Sequence, residues 1–292
     1  MTTFKPTRRE VLLALAATAA APAMQAATAK GLLPVDTPGL DHLDVIVNDV
    51  EKTTRFYMGL FRTTLHAQPF QGAQRYFVLL GPLAENRAVG YLAVGAARGR
   101  GTYIGHFCTS VANWQRDNAA IFAAMKERFH DAGFGEFAGS SGFGGIFNDP
   151  EGIEIQFLPA PDTLVTAAVP SDLVPSMQGL VTPQRVDNVV VQVGNLDRAL
   201  AWYRELYGRE SKRERDRATF TFRNGSHLTL EAAKYVYGQA RPRIVRFGIR
   251  VAPFDRAAVE AGITALGGSV LSTGGKSLRL RDADGIELEL VQ

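Results

Sequence analysis

Leu40-Asp41-His42-Leu43-Asp44-Val45-Ile46-Val47-Asn48-Asp49-Val50, running into Arg55-Phe56-Tyr57, returns later in the chain as Val186-Asp187-Asn188-Val189-Val190-Val191-Gln192-Val193-Gly194-Asn195-Leu196, running into Ala201-Trp202-Tyr203. Each copy closes on the same punctuation, Asn148-Asp149-Pro150-Glu151-Gly152-Ile153-Glu154-Ile155-Gln156-Phe157 in the first and Arg281-Asp282-Ala283-Asp284-Gly285-Ile286-Glu287-Leu288-Glu289-Leu290 in the second. A repeat of that length is a whole domain, not a solenoid unit, so the chain reads as a tandem duplication.

Outward from that opening, apolar residues alternate in period two from Asp41 to Val47, which predicts a strand with His42, Asp44 and Ile46 on one face and Leu43, Val45 and Val47 on the other. Asp49 is an N-cap for a helix running through Phe61. Strands are expected at Arg75 to Leu80 and Ala88 to Val94, then a strand from Tyr103 to Val111 carrying Ile104, His106, Cys108 and Ser110 on one face. A helix from Trp114 to His130 and a closing hairpin turned at Asp149 to Gly152 complete the first domain. The second repeats the order, with its own helices at Leu196 to Tyr207 and Phe254 to Leu266. The fold class is therefore α+β: two tandem domains, 38–160 and 185–292, each a pair of βαβββ units. Between them, 161–184 holds Pro161, Pro170, Pro175 and Pro183, too many prolines for regular structure.

With 292 residues, 46% of them hydrophobic, the chain can bury a core in both domains. The formal charge of +3 comes without any basic cluster interleaved with aromatics, which argues against a nucleic-acid partner. Lys212 to Arg217 alternates in sign and reads as a solvated strand or loop. Residues 1–29 have the plan of a twin-arginine export signal: Arg8-Arg9 precede an apolar run to about Ala23, and Ala27-Thr28-Ala29 offers a small-x-small cleavage site. Pro22 breaks the run, which is too short to span a bilayer. A periplasmic address follows, with no membrane segment in the mature form. Cys108 stands alone, so no intramolecular disulfide forms despite that destination.

The order of units, the x-D-H opening with its acid-capped F-Y helix and the closing D-P-[DE]-G hairpin resemble the vicinal oxygen chelate superfamily, which includes glyoxalase I, extradiol ring-cleaving dioxygenases and the fosfomycin and bleomycin resistance proteins. The resemblance covers nearly the whole mature chain. It implies a half-open barrel that cups a divalent metal ion, Fe, Mn, Zn or Ni, with ligands from the first, fifth and eighth strands. Those positions are His42, His106 and Gln156. The third is normally Glu, and Glu154, two residues earlier on the same strand face, is the alternative ligand. An amide is neutral and holds a cation less tightly than a carboxylate. Asp44 and Glu154 are candidates for a general base or for a partner that orients a ligand.

The equivalent positions of the second domain are Asn188, Arg246 and Glu289. A guanidinium repels a cation, so that domain is expected to be metal-free, with Arg246 and Glu289 ion-paired where the ion would sit. Its expected role is to shape a pocket, pack on the first domain or mediate a homodimer. Ring-cleaving dioxygenases of similar length usually carry the metal in the C-terminal domain, the reverse of the pattern here. His66, His130 and His227 match no ligand position and read as surface residues, Cys108 as an inert small core residue, and Tyr57 and Trp202 as core. The function expected is an exported metalloenzyme that chelates a small oxygenated substrate, as a glyoxalase-like lyase or isomerase or a ring-cleavage-like dioxygenase. Its alternative is a metal-free binding protein of the bleomycin-resistance type.

Overall fold

The computed structural model describes residues 31–70, 72–81, 90–130, 135–136, 144–159, 178–233 and 242–292. The export signal expected at 1–29 and most of the proline-rich linker lie outside the described residues.

Four βαβββ units follow one another. The first holds β1 (Leu40–Val47), α1 (Val50–Leu60), β2 (Leu65–Phe70), β3 (Ala73–Leu80) and β4 (Gly90–Ala96). The second holds β5 (Tyr103–Val111), α2 (Trp114–Arg128), β6 (Gly135–Glu136), β7 (Gly145–Asn148) and β8 (Glu154–Pro159). The third runs through β9 (Pro183–Val193), α3 (Leu196–Tyr207), β10 (Lys212–Arg213), β11 (Arg217–Thr221) and β12 (His227–Ala232). The fourth runs through β13 (Arg243–Val251), α4 (Arg256–Ala265), β14 (Ser269–Gly274), β15 (Ser277–Arg281) and β16 (Glu287–Val291).

Capping starts the helices where the sequence places them. The Asp49 carboxylate accepts from the Lys52 N–H at the head of α1, the Asn195 side chain from Arg198 at α3, and Asp255 from Ala258 at α4. In each unit the helix is a crossover that lays the last strand parallel to the first: β4 on β1, β8 on β5, β12 on β9 and β16 on β13. First strands of successive units then pair antiparallel, β1 with β5 and β9 with β13. The result in the first half is the order β2-β3-β4-β1-β5-β8-β7-β6, with the same order in the second half. Leu43, Val45 and Val47 are buried in the main hydrophobic core together with Phe56, Tyr57 and Leu60 of α1. His42, Asp44 and Ile46 project to the opposite, cupped face.

Three expectations need correction. Strand β2 lies in a stretch with no strand signal and contains Pro69; it sits at the sheet edge, where a missing N–H costs no ladder bond. His66, on that strand, is only 5% exposed and is no surface residue. Strand β9 begins at Pro183, inside the expected linker, with the proline at the strand's first position. Just before it, the N–H groups of Leu180 and Val181 donate to the carbonyls of Gly59 and Leu60, tying the end of the linker to the end of α1.

The two repeated motifs meet across the halves. In the closing turn of the first half, Asp149 Oδ1 accepts from the N–H groups of Glu151 and Ile153, while Oδ2 takes the Tyr203 hydroxyl at 3.1 Å. In the second half, Asp282 Oδ1 accepts from Asp284 and Ile286 and Oδ2 takes the Tyr57 hydroxyl at 2.8 Å. Each helix tyrosine therefore satisfies a buried turn carboxylate of the other half. Tyr57→Phe and Tyr203→Phe are each expected to cost about 1–3 kcal/mol, because the aspartate stays buried with one acceptor unmet. Urea denaturation reads this directly, and losses under about 0.5 kcal/mol would remove the docking role.

Candidate metal centre

Strands β1, β5 and β8 are adjacent, so their cup-facing side chains converge. His42 and His106 are 2% and 5% exposed. Their Nε2 atoms lie 3.2 Å apart, and Gln156 Oε1 lies 3.1 Å from His42 Nε2. Both imidazoles are oriented from behind. His42 Nδ1 is 2.9 Å from Asp41 Oδ1, whose other oxygen accepts from Ser110 Oγ at 3.0 Å. His106 Nδ1 faces Glu154 Oε1 at 3.3 Å and Asp44 Oδ2 at 3.6 Å.

These contacts favour the tautomers that carry the proton on Nδ1. An Nδ1–H directed at a carboxylate leaves a bare lone pair on Nε2. Two such nitrogens and an amide oxygen then turn three electron pairs toward one point, an arrangement that repels itself and suits a cation. Donor atoms 3.1–3.2 Å apart, each about 2.1 Å from one ion, subtend about 95–100° at it, as neighbouring ligands do. The residues thus fit a divalent ion held by His42, His106 and Gln156.

The electrostatics agree. Burial first, then repulsion from His106 and Arg75, holds His42 well below the ordinary imidazole value, which keeps it in the neutral form that binds metal. Burial pushes the Asp41 carboxyl up to about 7, while the Ser110 hydroxyl bond pulls it back. A cation at Nε2 would stabilise the charged carboxylate through the ring.

Of the other predicted residues, Asp44 is engaged: Arg75 donates to its Oδ1 at 2.6 Å. Glu154 is half exposed and stands at the Nδ1 side of His106, away from the point where the three donors meet, whereas Gln156 reaches it. Cys108 is fully buried, and its sulfur lies within 4.8 Å of ligand atoms of Asp41 and His42. His130 is exposed, and Trp202 lies in the core.

Sequence reasoning missed Asp41, Ser110, Arg75 and Tyr91. Strict alternation turns Asp41 away from the cup, but a register shift between Leu40 and Leu43 lets it reach the ring of its neighbour. The adjacent pair Asp41-His42 was the available signal. Tyr91, opposite His42 in the parallel ladder, stacks on its ring at 4.2 Å between centroids and points its hydroxyl at Nε2 from 3.4 Å. Only the pairing of β1 with β4 reveals that contact.

In the second half the register puts His227 opposite Asn188, where Tyr91 faces His42. Arg246 occupies the position of His106 and Glu289 that of Gln156. The expected Arg246–Glu289 pair does not form; Arg246 donates to Glu231 on β12 at 3.0 Å, since that carboxylate extends from the neighbouring wall into reach of its guanidinium. His227 lines this second cup and its Nδ1 is buried, which corrects its reading as a surface residue.

No family model matches the sequence, and no curated protein matches it. Solved structures do. The chain is similar to the 2,3-dioxygenase LapB from Pseudomonas sp. KL28, at 10% identity and TM-score 0.64 over 88% of this chain and 92% of that one. It is similar to the Mn(II)-bound glyoxalase from Novosphingobium aromaticivorans, at 12% identity and TM-score 0.61 over 88% and 82%. Homoprotocatechuate 2,3-dioxygenase from Brevibacterium fuscum, in complex with 3,4-dihydroxyphenylacetate, superposes at 14% identity and TM-score 0.65 over 89% and 82%. Identities this low carry the architecture and nothing finer. Four βαβββ units in this order, superposing on those enzymes along most of their length, give this chain the fold of the vicinal oxygen chelate superfamily.

Proposed function

We propose that this protein is a metal-dependent enzyme whose first cup holds one divalent ion on His42, His106 and Gln156 and acts on a small oxygenated substrate through two neighbouring oxygens. The observation that carries this reading is the approach of His106 Nε2 and Gln156 Oε1 to His42 Nε2, at 3.2 and 3.1 Å, with each ring backed by a carboxylate. A divalent ion bound there supplies Lewis-acid charge to a chelated enolate, catecholate or oxyanion, and iron would add dioxygen chemistry.

The chain's own residues prepare that centre. Asp41 fixes the His42 ring, while Asp44 and Glu154 place their carboxylates beside Nδ1 of His106. Arg75 holds the Asp44 carboxylate in place, so Asp44 acts as a positioning residue. Tyr91 offers a hydroxyl beside His42 Nε2, where it can donate to a substrate oxygen. Burial of both imidazoles excludes bulk water and strengthens each of these contacts. Because the ligand set is neutral, the ion retains more of its charge for the substrate than a set with a carboxylate would leave it. The leader supports export of the folded, loaded protein to the periplasm.

The reading is tested by elemental analysis of the full chain purified after expression with its leader. About one transition-metal equivalent per chain is expected. Oxygen uptake with a catechol then separates the dioxygenase from the lyase or isomerase branch. Well-folded protein that takes up no metal, added or native, would leave a binding protein instead. Asp41→Asn is expected to weaken metal binding about tenfold, since the ring loses its anionic partner; titration with a competing chelator measures it.

A further inference from the structure

We infer that the second cup is a ligand site of its own, selective for a small carboxylate that also carries a hydroxyl or amino donor. A cavity of about 280 Å³ opens there among Asn188, Lys212, Arg217, His227, Arg246 and Glu289. That is close to the lower size at which small-molecule sites begin.

Its charges are unevenly matched. On the β10 to β12 wall and β13, Lys212, Arg217 and Arg246 share two carboxylates. Glu231 Oε1 takes both Arg246 at 3.0 Å and Arg217 at 3.2 Å, and Glu214 takes Lys212 at 2.5 Å and Arg217 at 3.8 Å. Three cations on two anions leave this wall with one positive charge in excess. The neighbouring pair Arg279 and Arg281 shares the single carboxylate of Glu287, at 2.9 and 2.8 Å. Arg246 spends one N–H on Glu231, and its remaining donors suit the two oxygens of a carboxylate.

Across the cavity the chemistry reverses. Glu289 makes no ion pair or hydrogen bond among the described residues, although Arg279 stands opposite it in the ladder. It is an acceptor in need of a donor. His227 Nδ1 is buried without a hydrogen-bond partner, and the Thr219 and Thr229 hydroxyls, 3.1 Å apart, add neutral polar contacts to the lining. A ligand with a carboxylate at one end and an O–H or N–H at the other satisfies both walls at once. Where the first cup turns lone pairs toward a cation, its twin at the His106 position presents a guanidinium.

Isothermal titration of the full chain with L-serine and with glycerate is expected to show saturable binding with one site per chain, with propionate and ethanolamine, each lacking one of the two groups, at least about tenfold weaker. Arg246→Gln and, separately, Glu289→Gln should each weaken binding about tenfold or more while leaving the thermal transition cooperative. The His42→Ala variant should bind serine or glycerate as the parent does, which separates this site from the first cup and from its metal. No heat with either ligand up to about 10 mM, or loss of binding in His42→Ala with retention in both second-cup variants, would overturn the assignment.

Discussion

Alanine at His42 or at His106 is expected to produce a folded protein that no longer retains metal. In the proposed centre each imidazole supplies one of three donors, and the third is a neutral amide. A full protein site for a divalent ion is worth about 10–16 kcal/mol across four ligands, so one imidazole accounts for about 3–4 kcal/mol, a factor of about 10² to 10³ in affinity. Desalting followed by elemental analysis reads the loss. His130→Ala, at an exposed position, is the matched control and should keep its metal. Folding should survive because both rings sit on the cupped face and neither belongs to the hydrophobic core cluster on the helix side. If both variants keep the parent's metal content, the three-donor centre is wrong.

A carboxylate at the third position should act in the opposite direction. Gln156→Glu places a negative charge beside His42 Nε2 without changing side-chain length. Attraction to a divalent ion across a partly buried site, less the cost of desolvating the new carboxylate, is expected to tighten binding by about 2–3 kcal/mol, roughly 30- to 150-fold. Without metal the sign reverses. The same charge then lies in a buried cluster that already contains Asp41 and Asp44, and the stripped variant should unfold at lower denaturant than the stripped parent. Denaturation with and without chelator reads both arms in one experiment. A variant that binds metal no more tightly than the parent would remove Gln156 from the ligand set.

Asp41, Asp44 and Glu154 all approach the far nitrogens of the two rings, so their charge reaches the donors only through the imidazoles. Such contacts polarise the ring and fix its tautomer while leaving the inner positions free for substrate.

Much of this was legible in the chain itself. Period-two alternation gave Leu43, Val45 and Val47 to the core and His42 to the other face, because side chains on a strand must alternate. Asp49 marked the start of the first helix through the same capping chemistry that the structure displays. The duplicated opening and closing motifs supplied the four units. What stayed illegible depends on contacts between residues far apart in sequence. Tyr57 looked like ordinary core, and its hydroxyl bond to Asp282, 225 positions away, appears only when the halves dock. His66 and His227 looked like surface because isolated polar residues on short strands carry no burial signal.

The sequence by itself determined the element order, the duplication and which faces of which strands carry the histidines, since these follow from local sterics, capping and periodicity. Only the tertiary structure decided that Gln156 and not Glu154 meets His42, that Asp41 turns back onto its neighbour, and that Arg246 pairs with Glu231. Register, bulges and strand adjacency set those choices, and they are the outcome of packing the whole sheet, where a shift of one residue moves a side chain to the opposite face.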